Sequence, residues 1–238
     1  MTETLELDLE VGETAGRVRA LLVRPAGARW LYVLAHGAGA GMRHAFLEAV
    51  ARALADREVA TFRYQFPYME RREARPNPPA ILEATVRAAV RAAAGAAPGL
   101  PLVAGGKSLG GRMTSNAAAK QPLGAVQGLV FLGFPLHPPK RPATERAEHL
   151  DRVSVPMLFL QGTRDDLADL SLLEPVCRRL GPRATLHVVE GADHSFRVLK
   201  RSGRTDAAVL EELVGAMEGW LNALTSFGWV KPGAMPRA

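Results

Sequence analysis

The chain opens with two segments in which apolar and polar side chains alternate. The alternation runs over residues 5–11 and again over residues 16–24, with a glycine-bounded turn between the two segments. A period of two is typical of a strand that buries one face and exposes the other. We therefore expect the chain to begin with two antiparallel strands.

After residue 30 the pattern changes to short strand-like runs that alternate with helical patterns. The run WLYVLAHG is almost continuously apolar, as expected for a strand that is buried on both faces. The predicted strands after it are VATFRYQF, LPLVAGG, GLVFLGF, PMLFLQG and ATLHVVEG, and the predicted helices span residues 44–55, 80–94, 110–120, 171–180 and 206–224. Such an alternation predicts a parallel sheet with helices on both of its faces.

These patterns together predict the fold class. We expect a single α/β domain over residues 1–238 with three layers (α/β/α), in which a mostly parallel, twisted sheet has an antiparallel N-terminal start. Residues 226–238 form a C-terminal tail. The connection over residues 135–155 is proline-rich and has room for one short helix, so we expect no substantial lid.

Composition and charge narrow the classes of partner. The formal net charge is +6, from 30 Lys and Arg against 24 Asp and Glu, without a basic run, so nucleic-acid binding is not expected. The apolar runs fall short of the roughly 20 residues that cross a bilayer, and the acidic N-terminus lacks the features of a signal peptide. The single cysteine, Cys177, excludes an internal disulfide. We expect a cytoplasmic protein without a membrane partner.

The stretch VAGGKSLGG, residues 103–111, has two incompatible interpretations. Gly106, Lys107 and Ser108 match the end of the phosphate-binding pattern G-x-x-x-x-G-K-[ST]. That pattern needs glycine where the chain has Pro101, and the predicted strand leaves no room for a phosphate loop. The alternative pattern, G-x-S-x-G, is a sharp turn between a strand and a helix that lifts a serine hydroxyl into the open. We therefore predict Ser108 as a nucleophile.

A serine nucleophile needs a base, and the base needs an acid that orients it. Asp165 follows the last but one predicted strand and His194 follows the last one, so the order along the chain is Ser, Asp, His. Because the carboxyl ends of parallel strands meet at one edge of a sheet, we expect these side chains to converge on Ser108. Asp166, beside Asp165, stays the alternative acid.

Main-chain N–H groups near the serine are candidates for an oxyanion hole, which stabilises negative charge on the reacting oxygen. We assign it to the N–H of Leu109, directly after the serine, and the N–H of Ala38, in the glycine-rich loop after the first buried strand. The candidates for substrate contact are Gly37, Lys107, Tyr68, Arg72, Arg75 and Phe196.

The basic residues among these candidates suggest a class of substrate. Arg72 and Arg75 follow a parallel strand and Lys107 precedes the serine, so one hypothesis is an electropositive mouth that favours a carboxylate or phosphate. The alternative is that the arginines form a solvated surface. No two histidines have the spacing of metal ligands, and we expect neither a metal nor a cofactor.

Five stretches carry a resemblance to a known family: LAHGAGAGM, RYQFPYM, GGKSLGGR, LQGTRD and GADHSF. They are similar to the α/β-hydrolase superfamily and, more narrowly, to the dienelactone-hydrolase-like family that includes testis-expressed protein 30 and the hydrolase-like domain of a chromatin-complex subunit. The resemblance spans about residues 30–225 and implies a hydrolase fold with Ser108, Asp165 and His194 as a catalytic triad. Dienelactone hydrolases proper use a cysteine nucleophile, so their activity is not carried over.

Residues and resemblance together predict a serine hydrolase of the carboxylesterase or thioesterase type. It would act on a small carboxylic ester or thioester through an acyl-enzyme. The alternative is a binding or scaffold protein that keeps the fold with little or no turnover. In the tail, Phe227 and Trp229 are expected to pack either on the domain or on a second copy, and in the latter case the protein is a homodimer.

Overall fold

The predicted strands form one eight-stranded sheet in the computed structural model of the protein, which describes residues 1–226. Its strands are β1 (Thr2–Gly12), β2 (Gly16–Pro25), β3 (Trp30–Ala35), β4 (Val59–Tyr64), β5 (Leu102–Lys107), β6 (Val126–Leu132), β7 (Met157–Gly162) and β8 (Ala184–Val189). Their order across the sheet is β1-β2-β4-β3-β5-β6-β7-β8. The β1–β2 and β2–β4 pairs are antiparallel and the other pairs are parallel, which confirms the predicted sheet.

Helices cover both faces of this sheet. They are α1 (Ala45–Ala55), α2 (Pro67–Glu70), α3 (Pro79–Ala96), α4 (Leu109–Lys120), α5 (Leu170–Leu180) and α6 (Asp206–Ser226), and short 3-10 helices span Glu145–Arg152, Gly181–Arg183 and Lys200–Ser202. One apolar core lies between the sheet and α3, α4 and α5, and a second lies between the sheet and α1 and α6. The three predicted layers are therefore present.

The central strand β3 illustrates why the middle of the sheet is apolar on both faces. Leu31 and Val33 pack into the core under α3, α4 and α5, whereas Tyr32 and Leu34 pack into the core under α1 and α6. Successive side chains of a strand point to opposite faces, so a strand between two helical layers needs apolar residues throughout.

The strand order reverses at β3, and this reversal places the site. β3 pairs with β4 on one side and with β5 on the other. The loops that leave two such neighbouring strands diverge, and a crevice opens at their carboxyl ends. The glycine-rich loop after β3 and the turn after β5 that carries Ser108 both lie at this crevice.

The connection between β6 and β7 adds no lid domain, as predicted. It contains one 3-10 helix, Glu145–Arg152, whose Ala147 and Leu150 are buried against the domain. Because both apolar residues of this helix point into the core, the helix is part of the α4–α5 layer.

Helix α6 ends the described part of the chain at Ser226, two residues beyond its predicted end. Within residues 1–226 none of the helices combines the length and the apolar character needed to span a bilayer. Phe227 and Trp229, for which we expect packing on the domain or on a second copy, lie outside the described residues.

Candidate active site

Ser108 lies in the sharp turn between β5 and α4, as the G-x-S-x-G pattern predicts. Its backbone has φ 50° and ψ −115°. A residue other than glycine has a strained backbone at positive φ, and this conformation persists only where the surrounding structure holds it. The turn is held because the Ser108 N–H donates to the carbonyl oxygen of Leu132 on β6, at 3.2 Å.

The glycines on either side of the serine are required by close packing. A Cβ atom on Gly106 would lie 2.3 Å from the carbonyl oxygen of Ala35, and one on Gly110 would lie 2.6 Å from that of His36. Both distances are well inside van der Waals contact with backbone atoms, which cannot move aside cheaply. The turn can therefore approach the end of β3 only with glycine at both positions.

Ser108, His194 and Asp165 form a continuous series of hydrogen bonds. His194 Nε2 lies 2.9 Å from Ser108 Oγ, and His194 Nδ1 lies 2.7 Å from Asp165 Oδ2. A carboxylate only accepts hydrogen bonds, so Nδ1 carries the ring proton and Nε2 presents its lone pair to the serine hydroxyl. The alternative acid, Asp166, is exposed, and its neighbour Asp165 is the carboxylate that meets the imidazole.

Asp165 is itself held by two further donors. The Gln161 side-chain amide donates to Oδ2, and the Leu167 N–H donates to Oδ1 at 2.8 Å. Gln161 is fully buried, and its Oε1 accepts from the N–H of Phe134 at 2.9 Å. Sequence reasoning missed Gln161, although a single amide in the apolar strand MLFLQG, four residues before the acid, is a recognisable signal.

Gly133, directly after β6, is a second contributor that sequence reasoning missed. It has φ 69°, and a Cβ atom there would lie 3.0 Å from Lys107 Nζ and 3.4 Å from both Asp165 Oδ2 and His194 Cε1. The absence of a side chain at Gly133 therefore allows the lysine, the carboxylate and the imidazole to lie close together.

The glycine-rich loop after β3 borders the serine from the other side. A Cβ atom on Gly37 would lie 3.7 Å from the Cβ of Ser108, and Ala38 lines the same cavity. His36 fixes this loop, because its Nδ1 is 2.8 Å from the Gly37 carbonyl oxygen and its Nε2 accepts from the Phe66 N–H at 3.0 Å. Burial lowers the pKa of His36 to about 4, so the ring is neutral and suited to this structural role.

Leu109, the other residue assigned to the oxyanion hole, is the first residue of α4. The first N–H groups of a helix have no partner within the helix, and they carry the positive end of its dipole. Leu109 directly follows Ser108 in the chain, and Ala38 lines the cavity that Ser108 also lines. The assignment of their N–H groups to an oxyanion hole stays a prediction.

A cavity of about 390 Å³ opens over the serine. Its lining residues are Gly37, Ala38, Gly39, Ala40, His44, Phe46, Leu47, Lys107, Ser108, Leu167, His194 and Ser195. Within residues 1–226 no group of three or more His, Cys, Asp or Glu side chains could hold a metal ion.

The predicted substrate-contact residues are divided between this cavity and its surroundings. Gly37 and Lys107 line it. Phe196 is buried outside the lining and stacks on the lining residue Phe46, at 5.7 Å between ring centroids. Tyr68 is buried, with its hydroxyl 3.5 Å from the Gly37 carbonyl oxygen. The last two, Arg72 and Arg75, are exposed and outside the lining.

Comparison with known proteins agrees with this architecture. The family model described as Alpha/beta hydrolase domain matches residues 28–222. Dienelactone hydrolase from Anabaena variabilis is 22% identical, with 93% of this chain and 98% of that chain covered and a TM-score of 0.74. A serine hydrolase without a lid from Xanthomonas campestris is 18% identical, with coverage of 92% and 95% and a TM-score of 0.70. Est1E from Butyrivibrio proteoclasticus is 15% identical, with coverage of 93% and 99% and a TM-score of 0.68.

Proposed function

This chain belongs to the alpha/beta hydrolase domain family, and on that premise we propose that it is a serine hydrolase acting on a small carboxylic ester or thioester. The observation that carries the proposal is the hydrogen-bonded series of Ser108, His194 and Asp165 beside an open cavity. Within the family, we place the chain with the dienelactone-hydrolase-like members that include testis-expressed protein 30, on the motifs quoted above.

The first half of the reaction forms an acyl-enzyme. Ser108 Oγ attacks the carbonyl carbon of the substrate while His194 Nε2 takes the hydroxyl proton. Asp165 keeps the imidazole in the required tautomer and stabilises the positive charge that develops on it. The N–H groups of Leu109 and Ala38 receive the oxyanion, and the alcohol or thiol then leaves with the proton from His194.

The second half releases the product. Water enters the open cavity and attacks the acyl carbon, and His194 Nε2 takes one of its protons. Collapse of the second tetrahedral intermediate breaks the bond to Ser108 Oγ, which takes the proton back. The carboxylic acid leaves, and the hydrogen-bonded series is restored without a cofactor.

The cavity suggests the size and charge of the substrate. A volume of about 390 Å³ is near the lower end of small-molecule sites, which suits a short acyl group. Among the described residues that line it, Lys107 carries a cationic side chain, the histidine and serine side chains can donate hydrogen bonds, and none carries a carboxylate. We therefore propose a substrate that bears an anionic group near the ester, a preference that does not rest on Arg72 or Arg75.

The alternative proposal is a binding or scaffold protein that keeps the fold without turnover. It predicts that the serine has no special reactivity, whereas the hydrolase proposal predicts a nucleophile that attacks an electrophilic phosphorus. The two proposals therefore differ in a measurement that requires no knowledge of the substrate.

Labelling with a fluorophosphonate probe is that measurement. We expect the wild type to be labelled and Ser108→Ala to lose all labelling. Ser115→Ala is the matched control, because Ser115 also lies beside a histidine but away from the cavity. It should be labelled at the wild-type rate. Folded wild-type protein that stays unlabelled would favour the scaffold alternative.

A panel of esters and thioesters then tests the substrate class. Neutral and anionic acyl groups of matched length should be compared, and the proposal expects a higher kcat/KM for the short anionic members. Equal values for the neutral and anionic members would remove the charge preference and leave the hydrolase proposal intact.

A further inference from the structure

Lys107, the last residue of β5, contacts the loop that carries the histidine. Its ammonium donates a hydrogen bond to the main-chain carbonyl oxygen of His194, 87 residues further along the chain. The same Nζ lies 5.4 Å from the centroid of the Phe196 ring, in the same loop. The side chain therefore connects the strand before the serine to both ends of the segment 194–196.

Charged groups surround this ammonium on several sides. The carboxylates of Asp165, after β7, and Asp193, after β8, both stabilise the positive charge on Lys107. Lys107 Nζ and the Cε1 atom of the His194 imidazole both lie close to Gly133, at 3.0 and 3.4 Å from the position that a Cβ atom would take there. His44, before α1, lines the same cavity as Lys107. Burial nevertheless outweighs these carboxylates and lowers the pKa of Lys107 to about 8.

We propose that Lys107 is a positioning residue, whose ammonium holds the main chain of His194 at the place where Nε2 meets the hydroxyl of Ser108. This inference rests on the proposed serine-hydrolase function. The histidine loop is also braced from within, because Asp193 Oδ1 accepts from the N–H groups of Ser195 and Arg197 at 2.8 and 2.9 Å. Those bonds shape the loop, whereas Lys107 is the contact that connects it to the strand of the nucleophile.

Protonation of the lysine decides the strength of this contact. A charged donor makes a hydrogen bond about twice as strong as a neutral one. Because the ammonium loses its proton through about pH 8, the rate of attack by Ser108 should fall as the pH rises through that value. The proposal thus assigns an alkaline decline in activity to Lys107.

Stability should change in the opposite direction over the same range. The pKa of Lys107 is lowered from 10.5 to about 8 in the folded protein, so between these values the unfolded chain binds more protons. The free energy of unfolding therefore rises with pH across this window. If Lys107 were only a packing residue, loss of its proton would leave the rate of the folded protein unchanged over this range.

The test uses the inactivation constants kinact and KI for a neutral fluorophosphonate from pH 6 to 10. The proteins compared are wild type, Lys107→Met, Lys107→Arg and, as the matched control, Lys120→Met, whose lysine pairs with Glu83 away from the site. We expect Lys107→Met to lower kinact about ten- to a hundredfold at pH 7, because a misplaced base costs rate, and to leave KI unchanged.

The pH profiles distinguish positioning from packing. The wild type and the Lys120→Met control should lose kinact through about pH 8. Lys107→Met and Lys107→Arg should show no such decline, and Lys107→Arg, which stays charged, should recover part of the lost rate. Urea unfolding of the wild type and Lys107→Met over the same range shows whether stability and rate move in opposite directions.

Two results would overturn the inference. One is a Lys107→Met profile that keeps the wild-type alkaline decline, and the other is a kinact at pH 7 equal to that of the wild type. In either case labelling of Ser108 would still support the hydrolase. Failure of the folded wild type to react at all would instead contradict the proposed function.

Discussion

Helix α4 and the turn before it carry two serines that each meet a histidine. Ser108 Oγ lies 2.9 Å from His194 Nε2, and Ser115 Oγ lies 2.7 Å from His149 Nε2. By the length of the hydrogen bond alone, the second pair would be the better candidate for a nucleophile and its base. The surroundings of the two pairs are different in charge, in backbone geometry and in access.

The charges near the two imidazoles have opposite signs. His194 donates to the carboxylate of Asp165, whereas the charged groups that affect His149 are Arg112 and Arg152. Burial and these two cations lower the pKa of His149 to about 4. An imidazole among cations cannot accept a proton from serine at neutral pH, because the product would be one more positive charge.

Access and backbone geometry also separate the pairs. Ser108 has a strained backbone and lines the cavity, whereas Ser115 is buried inside a regular helix and its hydroxyl lies 2.9 Å from the carbonyl oxygen of Arg112. A serine that is satisfied within its own helix fastens α4 to the 3-10 helix of His149. The comparison therefore favours Ser108 as the proposed nucleophile on two grounds, the third, anionic group and the open approach, and not on the length of the hydrogen bond.

Removal of the third group should have the largest effect. In Asp165→Asn, the new amide can donate to the imidazole and hold it in the wrong tautomer, so kinact for a fluorophosphonate should fall about 10³–10⁴-fold. Asp166→Asn is the matched control, because its carboxylate is adjacent in the chain but exposed. That variant should react like the wild type. A small loss in Asp165→Asn together with a large loss in Asp166→Asn would reverse the assignment of the acid.

The strained turn should show a smaller effect, in stability. Gly106→Ala puts a Cβ 2.3 Å from the Ala35 carbonyl oxygen at φ 151°, and we expect it to lower the free energy of unfolding by about 3 kcal/mol. Gly95→Ala is the control, because Gly95 lies in α3 with no heavy atom within 4 Å of the added Cβ. This control variant should have a free energy of unfolding higher than that of the wild type by up to about 1 kcal/mol. Urea unfolding measures both, and equal stability for the two variants would contradict the account of the turn.

Much of this arrangement could be predicted because it depends on local pattern. The buried strands are short apolar runs, and Ser108, Asp165 and His194 each follow one of them. Parallel strands bring such positions to one edge of the sheet, so the order of the three residues along the chain is enough to predict that their side chains lie close together.

The remaining features depend on which strands are neighbours, and no local pattern encodes that. Gly133 lies against Lys107 and Asp165 because β6 lies between β5 and β7. Lys107 contacts a carbonyl oxygen far along the chain, and its sequence neighbourhood indicates only a basic residue beside the serine. The four-residue helix α2, which starts at Pro67, is too short to show an apolar period.

The smallest effect concerns His149 of the second pair and the loss of stability at acid pH. With its pKa lowered from 6.5 to about 4, His149 binds fewer protons in the folded protein than in the unfolded chain between these values. Its contribution to stability is therefore present above pH 6.5 and is lost as the pH falls towards 4. Allowing for its partial exposure, we expect a loss of about 1–2 kcal/mol from this residue.

His149→Leu separates this contribution from that of the buried His36, whose pKa is also about 4 and which titrates in both proteins. Urea unfolding at several values between pH 4 and 7 should show a shallower loss of stability in the variant than in the wild type. Ser115→Ala removes the hydrogen bond but keeps the titrating ring, so its slope should match the wild type. If the His149→Leu slope also matched, the imidazole would not be held neutral by its surroundings, and the distinction in charge between the two pairs would fail. Fluorophosphonate labelling of Ser108 should be unchanged in both variants, because neither residue contacts the cavity.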